Sequence, residues 1–190
     1  KMYIDWIENI RDWNISRQIV WGPRIPVWYK IDRSASNIWV WWIDQNKTLQ
    51  QNNLRYFLEK DIKLRDIKNG LQRIEALTGP SEPEYVVSLK EPNDGEYIQE
   101  TDTFDTWFLS GQWPLTTLGY PDSEDFKYFY PTSILDTLWD ILFFWVARMM
   151  MFGLYLTHKV PFKVVHIHAR VVDQHGQKMS KSKGNVVNPI

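Results

Sequence analysis

The spacing of apolar residues changes character along the chain and divides it into three stretches. In residues 1–30, Ile4, Ile7 and Ile10, accompanied by Trp6 and Trp13, recur at helical spacing. The run Ile25-Pro26-Val27-Trp28-Tyr29 follows the Gly22-Pro23 break and predicts a strand. Residues 31–102 are mixed: Ile38 to Ile43 predicts a strand, and Thr48 to Lys60 is a polar stretch. Ile62, Ile67, Leu71, Ile74 and Leu77 fall on one face of a predicted helix that Gly79-Pro80 would stop. Asn93-Asp94-Gly95, set between Tyr85 to Leu89 and Glu96 to Gln99, predicts a hairpin turn. The pattern of 31–102 is that of a small α+β insertion without a catalytic constellation.

Residues 103–190 open with a loop rich in Trp and Pro, Asp105 to Pro121, and then the short apolar run Thr132-Ser133-Ile134-Leu135. A long helix is predicted from about Thr137 to about Tyr155. Phe162 to His168 predicts a strand, since β-branched residues dominate it. Strand, long helix, strand is the pattern of one parallel crossover, so the fold class is α/β. The most apolar run, Ile141 to Leu156, carries Arg148 at its middle and is shorter than the ~20 residues of a membrane span. It predicts a buried helix.

Composition narrows the function classes. The chain has 190 residues, 22 Lys+Arg against 23 Asp+Glu, a net charge of −1 and no cysteine. Bulk positive charge for nucleic-acid binding is excluded, as are disulfides, thiolate zinc sites and a cysteine nucleophile. The 11 Trp, 9 Tyr and 9 Phe argue against disorder. No apolar signal core follows Lys1-Met2, and the chain stops soon after its most distinctive motif. Those ends suggest a piece of a longer protein.

That motif is Lys178-Met179-Ser180-Lys181-Ser182-Lys183-Gly184-Asn185, directly after the turn Asp173-Gln174-His175-Gly176. Closely spaced lysines neutralise charge, while serine hydroxyls and backbone N–H groups supply directional bonds, so such a loop can fold over a polyphosphate. Composition alone leaves a solvated surface loop open. The ordered string, however, resembles the signature loop of class I aminoacyl-tRNA synthetases. Asn9 to Gln18, Trp21-Gly22 and Arg24-Ile25-Pro26 look like the segment that follows the editing insertion in that family. Asp105-Thr106-Trp107-Phe108, Trp113-Pro114, Thr117-Leu118-Gly119 and Phe143 to Met149 are similar to its valine-specific branch in particular.

The resemblance implies the second half of a Rossmann-like parallel-sheet nucleotide-binding domain. Its parts would be a core segment at 1–30, a connective insertion at 31–102 and the domain's second half at 103–190. The implied activity, in the cytoplasm, is ATP-dependent activation of valine to valyl-adenylate and transfer to tRNA(Val). Lys178 and Lys181 would meet the pyrophosphate part of ATP, with Lys181 stabilising the transition state. Ser180, Ser182, Gly184 and Asn185 would shape the loop. Asp140 would accept from the adenosine ribose or a neighbouring group of the adenylate, and His168 would lie beside the adenine. Trp107 and Trp145 would wall the amino-acid pocket, and the β-branched Ile141 would narrow it against an extra methylene. Magnesium is expected with ATP, without an assigned protein ligand; no zinc is expected. Three departures stand out. No His-x-Gly-His string occurs, Leu138 replaces a family Gly, and Val172 stands where valine enzymes carry Arg. The first implies partners elsewhere in a longer chain and an inactive segment in isolation. Isoleucine or leucine specificity, and a non-catalytic nucleotide- or partner-binding remnant, remain open at this point.

Overall fold

The computed structural model describes residues 2–187, so the extreme ends noted above, Lys1 and residues 188–190, lie outside it. The chain forms two compact units, residues 14–105 and residues 1–13 with 106–190. Helix α1 (Met2–Glu8) belongs to the second of these.

Unit 14–105 opens with the short strand β1 (Ser16–Arg17) and then β2 (Val27–Lys30). Next come β3 (Ile38–Ile43), β4 (Leu49–Asn53), α2 (Leu54–Leu58), α3 (Leu64–Gly70) and β5 (Leu71–Ala76). Strand β3 is central, antiparallel to both β4 and β5. Its alternation puts Ile38, Val40 and Trp42 into a core with Leu54, Phe57, Ile67 and Ile74. The polar stretch at 48–60 thus supplies an edge strand and a helix, which Asn53 caps by accepting from the Tyr56 N–H at 2.9 Å.

The helix predicted over 62–77 ends at Gly70. An added Cβ at Gly70 would lie 2.0 Å from the Ile43 carbonyl oxygen, so the backbones touch there and only glycine fits. Beyond it the chain becomes β5. The register skips Gln72, pairing Trp41 with Arg73 but Trp42 with Leu71. That bulge lets residues three apart, Leu71 and Ile74, face one side, which imitates helical spacing. The predicted hairpin also resolves differently. Strands β6 (Tyr85–Val87) and β7 (Tyr97–Gln99) do not pair; β2 lies between them, antiparallel to both. The connection through 88–96 is long enough to step across the end of β2. Finally β8 (Thr103–Phe104) pairs with β1, and Asp105 meets Arg17 at 3.1 Å.

In the other unit, the Trp- and Pro-rich stretch contains α4 (Thr106–Ser110) and α5 (Trp113–Thr116), followed by α6 (Glu124–Phe129). Strand β9 (Thr132–Leu138) runs past the point where the sequence pattern starts a helix. A 3₁₀ turn at Trp139–Ile141 and a wide π turn at Leu142–Val146 then lead into α7 (Ala147–Thr157). The chain returns through β10 (Phe162–His168), parallel to β9. Leu135, Val146, Met149 and Phe162 form the core between sheet and helix. Only one side of the helical run is buried: Phe144, Met151, Leu154 and Tyr155 are exposed. The two-stranded sheet is too narrow to cover the rest. By length and composition alone Trp139–Thr157 could cross a membrane. At its middle, however, Arg148 is buried and its guanidinium stacks 3.6 Å from the Trp13 ring. On the opposite face of the sheet, Ile134 and Val164 stay 62% and 51% exposed.

Candidate functional site

The β9–β10 register brings both strand ends to one edge, with His168 opposite Leu138. In open parallel sheets ligands bind outside the carboxyl ends of the strands. Asp140 sits in the 3₁₀ turn that leaves β9 at that edge. Its Oδ2 accepts from Arg170 Nη2 at 2.6 Å, while its Oδ1 is buried and meets no donor among the described residues. The Arg170 guanidinium lies 5.7 Å from the centroid of the Trp139 ring. His168 is exposed, its Nδ1 2.9 Å from the Ala169 carbonyl oxygen.

The residues expected to wall an amino-acid pocket gather around the π turn. Trp145 donates from Nε1 to the Ser110 carbonyl at 3.0 Å, and its ring meets Trp113 edge-on at 6.2 Å. That bond fixes the indole against α4. Trp107, on α4, packs on Phe144 with ring centroids 5.8 Å apart. Ile141 is half-buried at the start of the same turn. Both indoles are therefore drawn to one junction, each against a different neighbour. A cavity of about 650 Å³ in this unit is lined elsewhere, by Trp13, Arg148, Phe152, Tyr155 and neighbours.

The basic segment follows β10 through Ala169 to Val172 and is knotted on itself. Asp173 Oδ1 accepts from the backbone N–H of His175 at 2.9 Å and of Gln177 at 2.8 Å. Its Oδ2 accepts from Asn185 Nδ2 at 2.8 Å. Asn185 Oδ1 in turn accepts from the Ser180 N–H at 2.9 Å. The Asn185 amide, followed by the backbone N–H groups, holds the Asp173 carboxyl below the usual aspartate range, because all of them donate to its ionised form. Ser180 caps a 3₁₀ turn at Lys181–Lys183, accepting from the Lys183 N–H, and Ser182 Oγ lies 3.1 Å from Ser180 Oγ. Gly184 closes the turn at φ +66°. Lys178 and Lys181 are left exposed on this scaffold. Two residues that no motif reading picked out, Arg170 and Asp173, organise the site. An aspartate two residues ahead of one backbone donor and four ahead of the next is an Asx-turn pattern and marks Asp173 in sequence. Among the described residues no group of three or more His, Asp or Glu could hold a metal ion.

The family model for tRNA synthetases class I (I, L, M and V) matches residues 1–190. A valine--tRNA ligase of Coxiella burnetii is 43% identical over 191 residues, covering 100% of this chain and 16% of that protein. A valine--tRNA ligase of Schizosaccharomyces pombe is 44% identical over 196 residues, covering 99% of this chain and 16% of that protein. The chain thus spans about a sixth of the length of these curated relatives. Among solved structures, an agnB2 LeuRS of Agrobacterium radiobacter K84, in a ternary complex with tRNA and LeuAMS, matches with a TM-score of 0.57. It is 19% identical and covers 95% of this chain and 22% of that one, a likeness of fold alone.

Proposed function

Because the chain belongs to the class I tRNA synthetase family, we propose that it supplies part of the catalytic core of a valine--tRNA ligase. Alignment of its whole length with valine--tRNA ligases at 43–44% identity carries this reading. The core would be Rossmann-like, with β9, α7 and β10 as one crossover of a larger parallel sheet and 31–102 as a connective insertion between 1–30 and 103–190. The complete enzyme would activate valine with ATP, with magnesium on the triphosphate, and pass the acyl group to tRNA(Val) in the cytoplasm.

Of the two steps, activation and transfer, residues of this chain would serve the first. It is in-line attack of the valine carboxylate on the α-phosphorus, with pyrophosphate leaving; such reactions depend on positioning and on stabilising phosphoryl charge. Lys178 and Lys181, exposed on a loop that the Asp173–Asn185 bond closes, would neutralise the departing pyrophosphate. Asp140 Oδ1, a buried acceptor without a donor among the described residues, would take a ribose hydroxyl, and His168 would border the adenine. Trp107, Ile141 and Trp145 would enclose the valine side chain. An extra methylene is worth only ~1–3 kcal/mol of discrimination in such a pocket.

Valine-dependent exchange of pyrophosphate into ATP by the complete enzyme tests the reading. Valine should support exchange well above isoleucine and threonine, and Lys181→Ala should lower the rate by roughly 10²–10³-fold. Exchange that is equally fast with isoleucine, or indifferent to Lys181, would overturn it.

A further inference from the structure

We propose that Arg170 is a positioning residue for ribose recognition: it holds Asp140 by one carboxylate oxygen so that the other is presented to a sugar hydroxyl. The inference rests on the reading of Asp140 given above. A free carboxylate on a turn would rotate both oxygens toward water. Here Oδ2 is fixed by Arg170 Nη2 at 2.6 Å. Oδ1 is left out of solvent and without a donor among the described residues. Buried acceptors are seldom left unfilled, and this one lies at the carboxyl edge of two parallel strands, where a donor from a ligand is expected. A ribose hydroxyl is a neutral donor of the right kind.

Arg170 has a second effect at the same place. The pair's side chains are 31% and 27% exposed, so water screens them only in part. A lone carboxylate there would repel an incoming triphosphate, and the guanidinium cancels that charge. The fork geometry of Arg also fixes direction, which a lysine ammonium does not. The two effects therefore separate by substitution. Arg170→Ala removes both charge compensation and orientation, whereas Arg170→Lys restores the charge alone.

The test compares KM for ATP, 2′-deoxyATP and 3′-deoxyATP in valine-dependent exchange by the complete enzyme. The wild type should prefer ATP over one deoxy analogue by about tenfold or more, the range of a hydrogen bond to a charged group. Arg170→Ala should raise KM for ATP and shrink that preference to threefold or less. Asp140→Ala should do the same, and the double variant should be no worse than either. Arg170→Lys should recover most of the ATP KM but little of the preference. A merely structural role would move KM for all three nucleotides together and leave the ratio alone. A tenfold preference surviving Arg170→Ala would overturn the inference while leaving the assignment of Asp140 intact. A wild-type enzyme that exchanges with valine but ignores both ribose hydroxyls would overturn that assignment, and this inference with it.

Discussion

Replacing Gly153 with alanine sets two effects of similar size against each other. In a helix interior alanine is favoured over glycine by about 1 kcal/mol, because it loses less backbone entropy. Against that, the new Cβ would lie 2.7 Å from Tyr130 Oη, 2.9 Å from Pro161 Cδ and 3.3 Å from the Lys159 carbonyl oxygen. Neither of the two nearest neighbours yields freely. Burial raises the Tyr130 phenol's pKa, so it stays a donor, and its hydroxyl donates to the Lys159 carbonyl at 3.0 Å. Its ring stacks on Phe126 with centroids 4.6 Å apart. Pro161 is fully buried, and its carbonyl accepts from the Thr132 N–H at 2.9 Å, where β9 begins. Relieving the clash therefore pulls on the entries of both parallel strands. Overpacking of this kind costs about 1–3 kcal/mol, and two contacts under 3.0 Å place Gly153→Ala in the upper half of that range. The net expectation is a loss of about 1–2 kcal/mol and a fall of roughly 2–8 °C in Tm. Thermal unfolding followed by circular dichroism measures it. An unchanged or raised Tm would show that α7 has room against β10 and refute the packing argument.

Three further outcomes follow from the same geometry. Asp105→Ala breaks the 3.1 Å pair with Arg17. With Asp105 7% and Arg17 40% exposed, it should cost about 1–2 kcal/mol, less than the ~3–5 of a fully buried pair, read from the urea midpoint; no shift would mean the pair is solvated. The Asp173 carboxyl is held below its ordinary value, so its stabilisation of the loop is complete above that value and is lost as pH falls through the lower folded one. Protection factors of the His175 and Gln177 amides, taken relative to intrinsic exchange at each pH, should be high at neutral pH and fall as the pH drops below the ordinary aspartate range; factors that Asp173→Ala leaves unchanged at neutral pH would contradict the hub role. Leu138→Gly, at the strand end opposite His168, should tighten adenylate binding in the complete enzyme by freeing space at the sheet edge. Isothermal titration with a non-hydrolysable adenylate analogue measures this, and an unchanged affinity would count against ribose binding there.

The crossover is legible in sequence because its parts differ in residue type and length. The run at 162–168 is dominated by β-branched residues, as a strand is, and the apolar run ahead of it is too long to be one. The helix over 62–77 misleads because a bulge at Gln72 restores three-residue spacing inside a strand, and tertiary pairing with β3 decides the outcome. The order of β6, β2 and β7 is hidden for another reason. A turn signal at Asn93-Asp94-Gly95 fixes a reversal of direction but leaves open which strand lies between the two that it joins.

The site divides the same way. The family resemblance names Asp140 and His168, and the parallel crossover accounts for their nearness, because the residues that leave its two strands share an edge. Arg170 requires the register. The pairs Thr132 with Phe162, Ile134 with Val164 and Leu138 with His168 keep one offset throughout, and continuing it sets Arg170 beside Asp140. A slip by one residue would offer Asp140 either Ala169 or Val171 and would exchange the faces of Ile134 and Leu135, exposing the core residue. Leu135 is buried against Val146 and Met149, so core packing selects the register. The charge pair at the sheet edge is thus fixed by apolar residues several positions earlier in the strand, out of reach of a motif confined to the basic loop.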